Sequence, residues 1–477
     1  MNELIIDWVV RSTSYLIELN KDHFNRTLLI KSHVTQYELL TNKYLENKKI
    51  FFLNDFHYSY DRLKNKFGNK KNKSEYSNLT YSNKDVIFWP YQKIHLDFQS
   101  KIINQLKIEK NISYMIVSNN DRIYNNIKNI SNECLLDNCN DIWFDYKNDE
   151  NCRTLLEQSK RIKPLIIDNN VVLFEKILKC CFIQFYSGYR SAINFFNEIS
   201  LNFTPKIIFI GNYFTQTGNI VSHLCKKDNI SVHCLMHGQQ MTDYLDFTFI
   251  DNYYLFGQRD KNNFTRKGIP SNKLFVSGSP FLDTHDVLNI KNNNSNIVLI
   301  CFSGPGHSIT LEHHIMSINL IFKLAKYYDD LQFIIKLHRK DKLKYYVSLN
   351  KLMNVSFIEY NNNSKSIYEF ISKSKLVITG ASSSALDSMV LNVPVITLDL
   401  MGHLRKFDFI KNNITLHAEN FNMAIDHIDT ILNQQKKLER YNEKVKKYIK
   451  DVFFKPKQGS TKFIVDNIKK IIYSKQK

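Results

Sequence analysis

The 477-residue chain is short of several things, and each shortage excludes something. Glycine occurs only 13 times, so each glycine is worth locating. The eight cysteines (Cys134, Cys139, Cys152, Cys180, Cys181, Cys225, Cys234, Cys301) form no CxxC pair. They also lack the density of a disulfide-stapled secreted domain, so a reducing cytoplasm fits best. The stretch from Met1 to Arg11 carries Glu3 and Asp7 and has no basic region before an apolar one, so no secretory signal is expected. The apolar run Val171–Tyr189 is broken by Glu175, Lys176 and Lys179, and no transmembrane helix is expected. Zinc-finger spacing, an aromatic RNA-binding motif and a recognition-helix unit are absent, so sequence-specific nucleic-acid binding is not expected. No HExxH occurs, and adjacent helical residues such as Glu312, His313 and His314 point in different directions, so a structural role is expected for them. Gly304-Pro305-Gly306 lacks the Lys-Ser/Thr of a phosphate-binding Walker loop.

What is present is a globular chain. Hydrophobic residues make up 43% and aromatics 13%, with 33 Phe and 26 Tyr. At ~100 to 200 residues per domain the length calls for two or three packed units. Net charge is +19, and its placement is uneven. Between Lys436 and Lys477 fourteen Lys or Arg face four Asp or Glu, a net of +10. Such a segment is drawn to anionic lipid or polyanionic substrates.

Periodicity predicts a strand at Ile50–Leu53, a Lys/Asn/Ser surface loop from Lys64 to Asp85 and a helix near Gln92–Leu106. A strand at Ser113–Ser118 and a long amphipathic helix near Val172–Ile199 follow. From Lys206 the pattern sharpens. Strand Ile207–Ile210, helix Gln216–Lys227 and strand Val232–Met236 make a βαβ unit of the length a parallel sheet requires. Strands Tyr253–Phe256 and Leu274–Val276 end in Gly257 and in Ser277-Gly278-Ser279-Pro280. An Asn-rich linker at 289–296 separates this block from a second, with strands Asn296–Phe302, Leu331–Leu337, Val355–Tyr360, Leu376–Thr379 and Val393–Leu398. Helices Thr310–Tyr328, Ser366–Ser374 and Ser383–Leu391 alternate with them. Two basic amphipathic helices, near Phe421–Ile449 and Thr461–Tyr473, close the chain. Two alternating blocks argue for an α/β protein of two doubly wound domains facing each other. The expected division is 1–288, a linker at 289–296, 297–435, and basic helices over 436–477.

Ligands bind outside the carboxyl ends of parallel strands, so the polar residues just after each apolar run are the candidates. Thr379-Gly380-Ala-Ser382-Ser383-Ser384 places a glycine turn and three hydroxyls at a helix start, where exposed N–H groups favour phosphate. Helix capping by the same serines is the alternative. Lys336, His338 and Arg339 gather cationic or donor groups at another strand end, suited to a phosphate leaving group. Gly304 and Gly306 follow a third strand, where backbone approach to a donor and a plain turn are both open. His237-Gly238-Gln239 follows a buried strand in the first block, and an imidazole there suits a general base. Gly238, Gln239 and Ser279 would support the cleft.

The strand, serine-rich turn, short helix and returning Asn392-Val-Pro-Val-Ile strand resemble the nucleotide-phosphate unit of GT-B glycosyltransferases and related epimerases. His237-Gly-Gln-Gln, Tyr254-Leu-Phe-Gly257, Gly268-Ile-Pro and Val276-Ser-Gly-Ser-Pro-Phe-Leu-Asp283 resemble the first-domain end of CDP-glycerol glycerophosphotransferases and capsular-polysaccharide glycosyltransferases. The resemblance runs from about Lys206 to Leu400. A proline commonly follows the corresponding His338 in those families, and here Arg339 stands there. The resemblance implies a GT-B fold: two Rossmann-like domains across a cleft, the first on the acceptor side and the second binding the donor. It implies an inverting, metal-independent glycosyltransferase with no cofactor, using a nucleotide-activated sugar, CMP-linked by preference, in capsule or surface polysaccharide biosynthesis. The acceptor would be a glycan or a lipid-linked glycan, and the protein would be cytoplasmic and peripheral on an anionic membrane surface. The alternatives are a CDP-glycerol or polyol-phosphate transferase, a sugar-nucleotide epimerase, or a non-catalytic basic binding protein.

Overall fold

Short β-branched and aromatic runs form the centre of both halves of the chain. The structure is a computed structural model. It describes residues 83–90, 93–109, 111–118, 126–127, 130, 134–136, 196–197, 199–211, 216–236, 250–266, 268–283, 295–305, 310–338, 341–359, 367–380, 382–402, 404 and 407–474. The expected strand at Ile50–Leu53, and nearly all of the Lys64–Asp85 loop and the Val172–Ile199 helix, lie outside the described residues.

The first half builds a seven-stranded sheet from β1 (Val86–Trp89), β2 (Tyr114–Ser118), β3 (Cys134–Leu136), β4 (Ile207–Ile210), β5 (Ser231–Leu235), β6 (Asn252–Leu255) and β7 (Leu274–Val276). Its order is β3-β2-β1-β4-β5-β6-β7, and every pairing is parallel. Parallel neighbours need a crossover, supplied by α1 (Lys93–Glu109) after β1, α2 (Gln216–Lys227) after β4 and α3 (Gln258–Arg266) after β6. Every residue of β1, β4 and β6 is buried, as expected of strands covered on both faces. Burying each Ile, Phe or Val of such a strand contributes ~1.5 to 3 kcal/mol.

The second half repeats the plan with β8 (Ile297–Cys301), β9 (Gln332–Lys336), β10 (Val355–Ile358), β11 (Leu376–Thr379), β12 (Val395–Leu398) and β13 (Leu416–Ala418). The order is β10-β9-β8-β11-β12-β13, again parallel throughout. The intervening helices are α4 (Leu311–Tyr327), α5 (Ile367–Ser372), α6 (Ser384–Val390) and α7 (Asp408–Lys411). Both sheets run outward in two directions from a central pair, β1/β4 and β8/β11. These pairs are the switch points where doubly wound sheets hold ligands.

The C-terminal segment departs from expectation. Three helices replace the expected two: α8 (Phe421–Asn433), α9 (Gln435–Val452) and α10 (Ser460–Ser474). α9 buries Val445, Tyr448 and Val452 against Leu386, Phe407 and Phe409 of the second domain. The chain then crosses back, and α10 adds Ile464, Val465, Ile468 and Ile472 to the core of the first sheet. Gly257 and Gly278, at the ends of β6 and β7, make the crossing possible. A Cβ on Gly257 would sit 2.3 Å from the carbonyl oxygens of Asp451 and Val452, and one on Gly278 would sit 2.3 Å from that of Phe454. Phe454 N–H donates to the Phe256 carbonyl at 2.7 Å, and Phe453 stacks on Phe256 at 5.4 Å. The Asp283 carboxylate caps α10, accepting the N–H groups of Ser460 at 2.8 Å and Thr461 at 2.6 Å. Most of the apolar residues of this segment are therefore spent on the protein's own core, with Phe454 and Tyr473 left exposed. Among the described residues no helix is long and apolar enough to cross a membrane.

Candidate functional site

At the second switch point β8 and β11 lie side by side, with Cys301 opposite Thr379. Thr379 Oγ1 donates to the Cys301 carbonyl at 2.6 Å and pairs with Ser384 Oγ at 3.1 Å. Ser384 Oγ is also 2.9 Å from Ser382 Oγ, and Ser384 N–H donates to Ser382 Oγ at 3.3 Å. Two of the three serines thus knit the turn to the strand ends. Ser383 differs: it is exposed at the N-cap of α6, and its side chain makes no capping bond. A Cβ on Gly380 would meet only Leu404 Cδ1, at 3.9 Å, so glycine here keeps the strand end open rather than relieving a clash. Gly304, just after β8, has φ of +69°, a backbone state that suits glycine. Beside it the Ser303 hydroxyl is buried without a hydrogen-bond partner. Gly306 lies outside the described residues.

Charge collects around the same strand ends. The Cys301 thiol is pushed up to about 12 by burial; the Lys336 ammonium pulls it down and the Asp387 carboxylate pushes it up. Lys336 and Asp387 therefore both act at the end of β8. Asp387 is itself pushed up to about 7 by burial, opposed by the hydroxyl of Tyr368, which donates to it at 2.9 Å. Tyr368 also stacks on Phe281 of the first domain, with ring centroids 4.9 Å apart. His338 follows β9 and is half-buried, and its carbonyl accepts the N–H of Asp341 at 2.8 Å. Arg339 lies outside the described residues. The adjacent Glu312, His313 and His314 diverge: Glu312 is exposed, His313 is buried, and His314 Nε2 meets Asp341 Oδ1 at 3.0 Å.

In the first domain His237, Gly238 and Gln239 lie outside the described residues. Ser279 is buried, and its carbonyl accepts the N–H of Leu282, closing the turn at Pro280–Asp283. At the β1/β4 switch point Gly211 N–H donates to the Trp89 carbonyl at 3.0 Å. A Cβ on Gly211 would sit 2.5 Å from His95 Nδ1. His95, on the first turn of α1, is buried, as is Gln99 one turn on, whose Oε1 has no partner. Sequence reasoning missed His95 because Val86–Trp89 was not recognised as a strand, so no strand end pointed to it. It missed Asp387 and Tyr368 because their bond spans 19 residues.

No protein-family model and no curated protein matches the chain. Solved structures do match. A candidate UDP-N-acetylglucosamine 2-epimerase from Listeria monocytogenes gives a TM-score of 0.54 at 13% identity, covering 83% of this chain and 96% of its own. The UDP-bound MnaA of S. aureus gives 0.52 at 11% identity, covering 82% and 97%. The UDP-GlcNAc 2-epimerase of Neisseria meningitidis, bound to UDP-GlcNAc, gives 0.50 at 15% identity, covering 81% and 99%. The fold is GT-B. At these identities the likeness is one of fold, and fold alone does not assign chemistry. What the GT-B frame contributes is position: the serine turn, Gly304, Lys336 and His338 stand at the ends of β11, β8 and β9, three neighbouring strands of one sheet.

Proposed function

We propose that this chain is a nucleotide-sugar enzyme, acting as an inverting glycosyltransferase that needs no metal. The reading rests on one observation above all. The carboxyl edge of the second sheet gathers Lys336, His338 and the Gly380–Ser384 turn around its switch point, the position at which such sheets hold phosphorylated ligands. In this reading Lys336, His338 and Arg339 offset the charge of the leaving phosphate. Ser382, Ser383 and the glycines Gly304, Gly306 and Gly380 let backbone and hydroxyl groups approach it. Ser384 holds the turn in shape. His237 removes the proton of the acceptor hydroxyl, a glycan or lipid-linked glycan. A CMP-linked donor and a place in capsule or surface polysaccharide synthesis follow from the sequence resemblance.

A second reading, a sugar-nucleotide 2-epimerase, is favoured by the fold likeness to structures carrying that description. One experiment separates the two. The full chain is screened for thermal stabilisation by CMP, CDP, UDP, GDP and ADP, where a ligand at ~100 times its dissociation constant adds roughly 2.7 kcal/mol. The chain is then incubated with the matching nucleotide sugar, with and without a glycan acceptor. Acceptor-dependent release of the nucleotide supports the transferase. Acceptor-independent inversion at the sugar's C2 supports the epimerase. Stabilisation by no nucleotide would remove both.

A further inference from the structure

The turn that carries His338 is tied down by a buried side chain, that of Asp341. Asp341 N–H closes the turn on the His338 carbonyl at 2.8 Å. Its carboxylate is then engaged on both oxygens. Oδ1 lies 3.0 Å from His314 Nε2 and accepts the N–H of Lys342 at 2.9 Å, and Oδ2 accepts the hydroxyl of Tyr346 at 2.5 Å. The side chains of His314 and Asp341 are 0% and 1% exposed. The ring of His314 packs edge-on against Phe302, Tyr345 and Tyr346. Phe302 directly follows β8, and His314 lies on the first turn of α4. The anchor therefore joins the turn after β9 to the elements beside the switch point.

A buried hydrogen-bonded cluster adds little to stability compared with apolar groups of the same shape, because desolvation offsets most of the attraction. What it adds is direction. Three donors aimed at one carboxylate fix the rotation of Asp341, and through its N–H they fix the turn.

We propose that Asp341, held by His314 and Tyr346, is a positioning residue that sets the His338 turn at the height where it meets the phosphate of the nucleotide. This inference rests on the donor-site reading above and adds to it three residues with no contact of their own to the ligand. His338 lies after the end of β9, where side-chain and backbone freedom would otherwise be lost on binding. Anchoring the turn in advance removes part of that cost.

Titration calorimetry on the full chain tests it, with CMP, CDP and UDP against cytidine and uridine. In Tyr346→Phe and in Asp341→Asn, nucleotide affinity is expected to fall about tenfold, the equivalent of one hydrogen bond to a charged group. Nucleoside affinity should stay unchanged, since only phosphate is read by the turn. His314→Ala should behave likewise, and His314→Gln, whose amide can donate from a similar place, should recover most of the loss. Should Asp341→Asn fail to fold, Tyr346→Phe decides, because it deletes one hydroxyl and keeps the ring. An unchanged ratio of nucleotide to nucleoside affinity in the variants, with the parent binding nucleotide, would overturn the positioning role alone. Absence of nucleotide binding in the parent would overturn the donor-site reading and this inference with it.

Discussion

Asp260, at the start of α3, is buried, and its carboxyl is pushed up to about 7. Burial is the main cause, opposed by hydrogen bonds from the backbone N–H groups of Gly257 and Phe256 and by the nearby Arg259 guanidinium. A folded-state value above the unfolded one means that the group favours folding at low pH, and that this contribution is lost as pH rises from about 4 through about 7. Asp260→Asn removes the titration. Chemical denaturation at several pH values should show the variant losing less stability than the parent between pH 4 and pH 8. Parallel curves would place the charge elsewhere. Gly257 gives a second test at this scale. Its missing Cβ is the space occupied by two backbone carbonyls, which cannot swing aside as a side chain can. Gly257→Ala should cost about 2 kcal/mol or more. Gly268→Ala, with φ of +86° but nothing within 4 Å, should cost only about 1 kcal/mol, from strain. Equal losses in urea melts would show that the crossing segment gives way.

The Asp283 cap on α10 carries its own prediction. Asp283→Ala should destabilise by about 0.5 to 2 kcal/mol. Asp283→Asn should recover part of that loss, its amide oxygen still accepting an N–H, and denaturation midpoints would register both. The segment leading to this residue, Ser277-Gly-Ser-Pro-Phe-Leu-Asp283, reads in sequence as the edge of a ligand cleft, whereas in the fold its last residue and Gly278 receive the returning chain. That role could not be read locally, because the partner is 177 residues away. Elements bounded by their own punctuation were legible: β4, β7, β11 and α2 fall where apolar runs and small residues place them. The break between α8 and α9 was not, since Gln434 carries neither glycine nor proline chemistry and yet adopts φ of −119° and ψ of 69°. β3 and β13, three residues each, were not legible either, because no glycine or proline follows them as Gly278 and Pro280 follow the equally short β7. In the candidate site the serines and Lys336 were visible as residue types at strand ends. The Asp341 anchor was not, because His314 acquires its meaning only when α4 folds over β9.

At the scale of the molecule, the two GT-B domains are joined at more than the chain crossing. Arg259 of the first domain pairs with Asp408 of the second and lies 4.9 Å over the ring of Tyr448, whose hydroxyl also donates to Asp408 at 2.9 Å. With α9 buried on one side, its outer face carries Lys436, Lys437, Arg440, Lys444, Lys446, Lys447 and Lys450 beside Glu439 and Glu443, all exposed. Association of this helix face with an anionic membrane would then be electrostatic. Vesicle sedimentation should show binding to anionic but not neutral vesicles, abolished by salt. Changing Lys446 and Lys447 to Gln should weaken it, and salt-resistant binding would contradict the picture. The return of α10 has a consequence of a different kind. A ribosome releases the strands of the first domain before those of the second, yet Ile464, Val465, Ile468 and Ile472, which complete the first core, emerge last. The first domain to be made is the last to be finished: until the second has been synthesised, its core lacks the four apolar side chains that α10 adds.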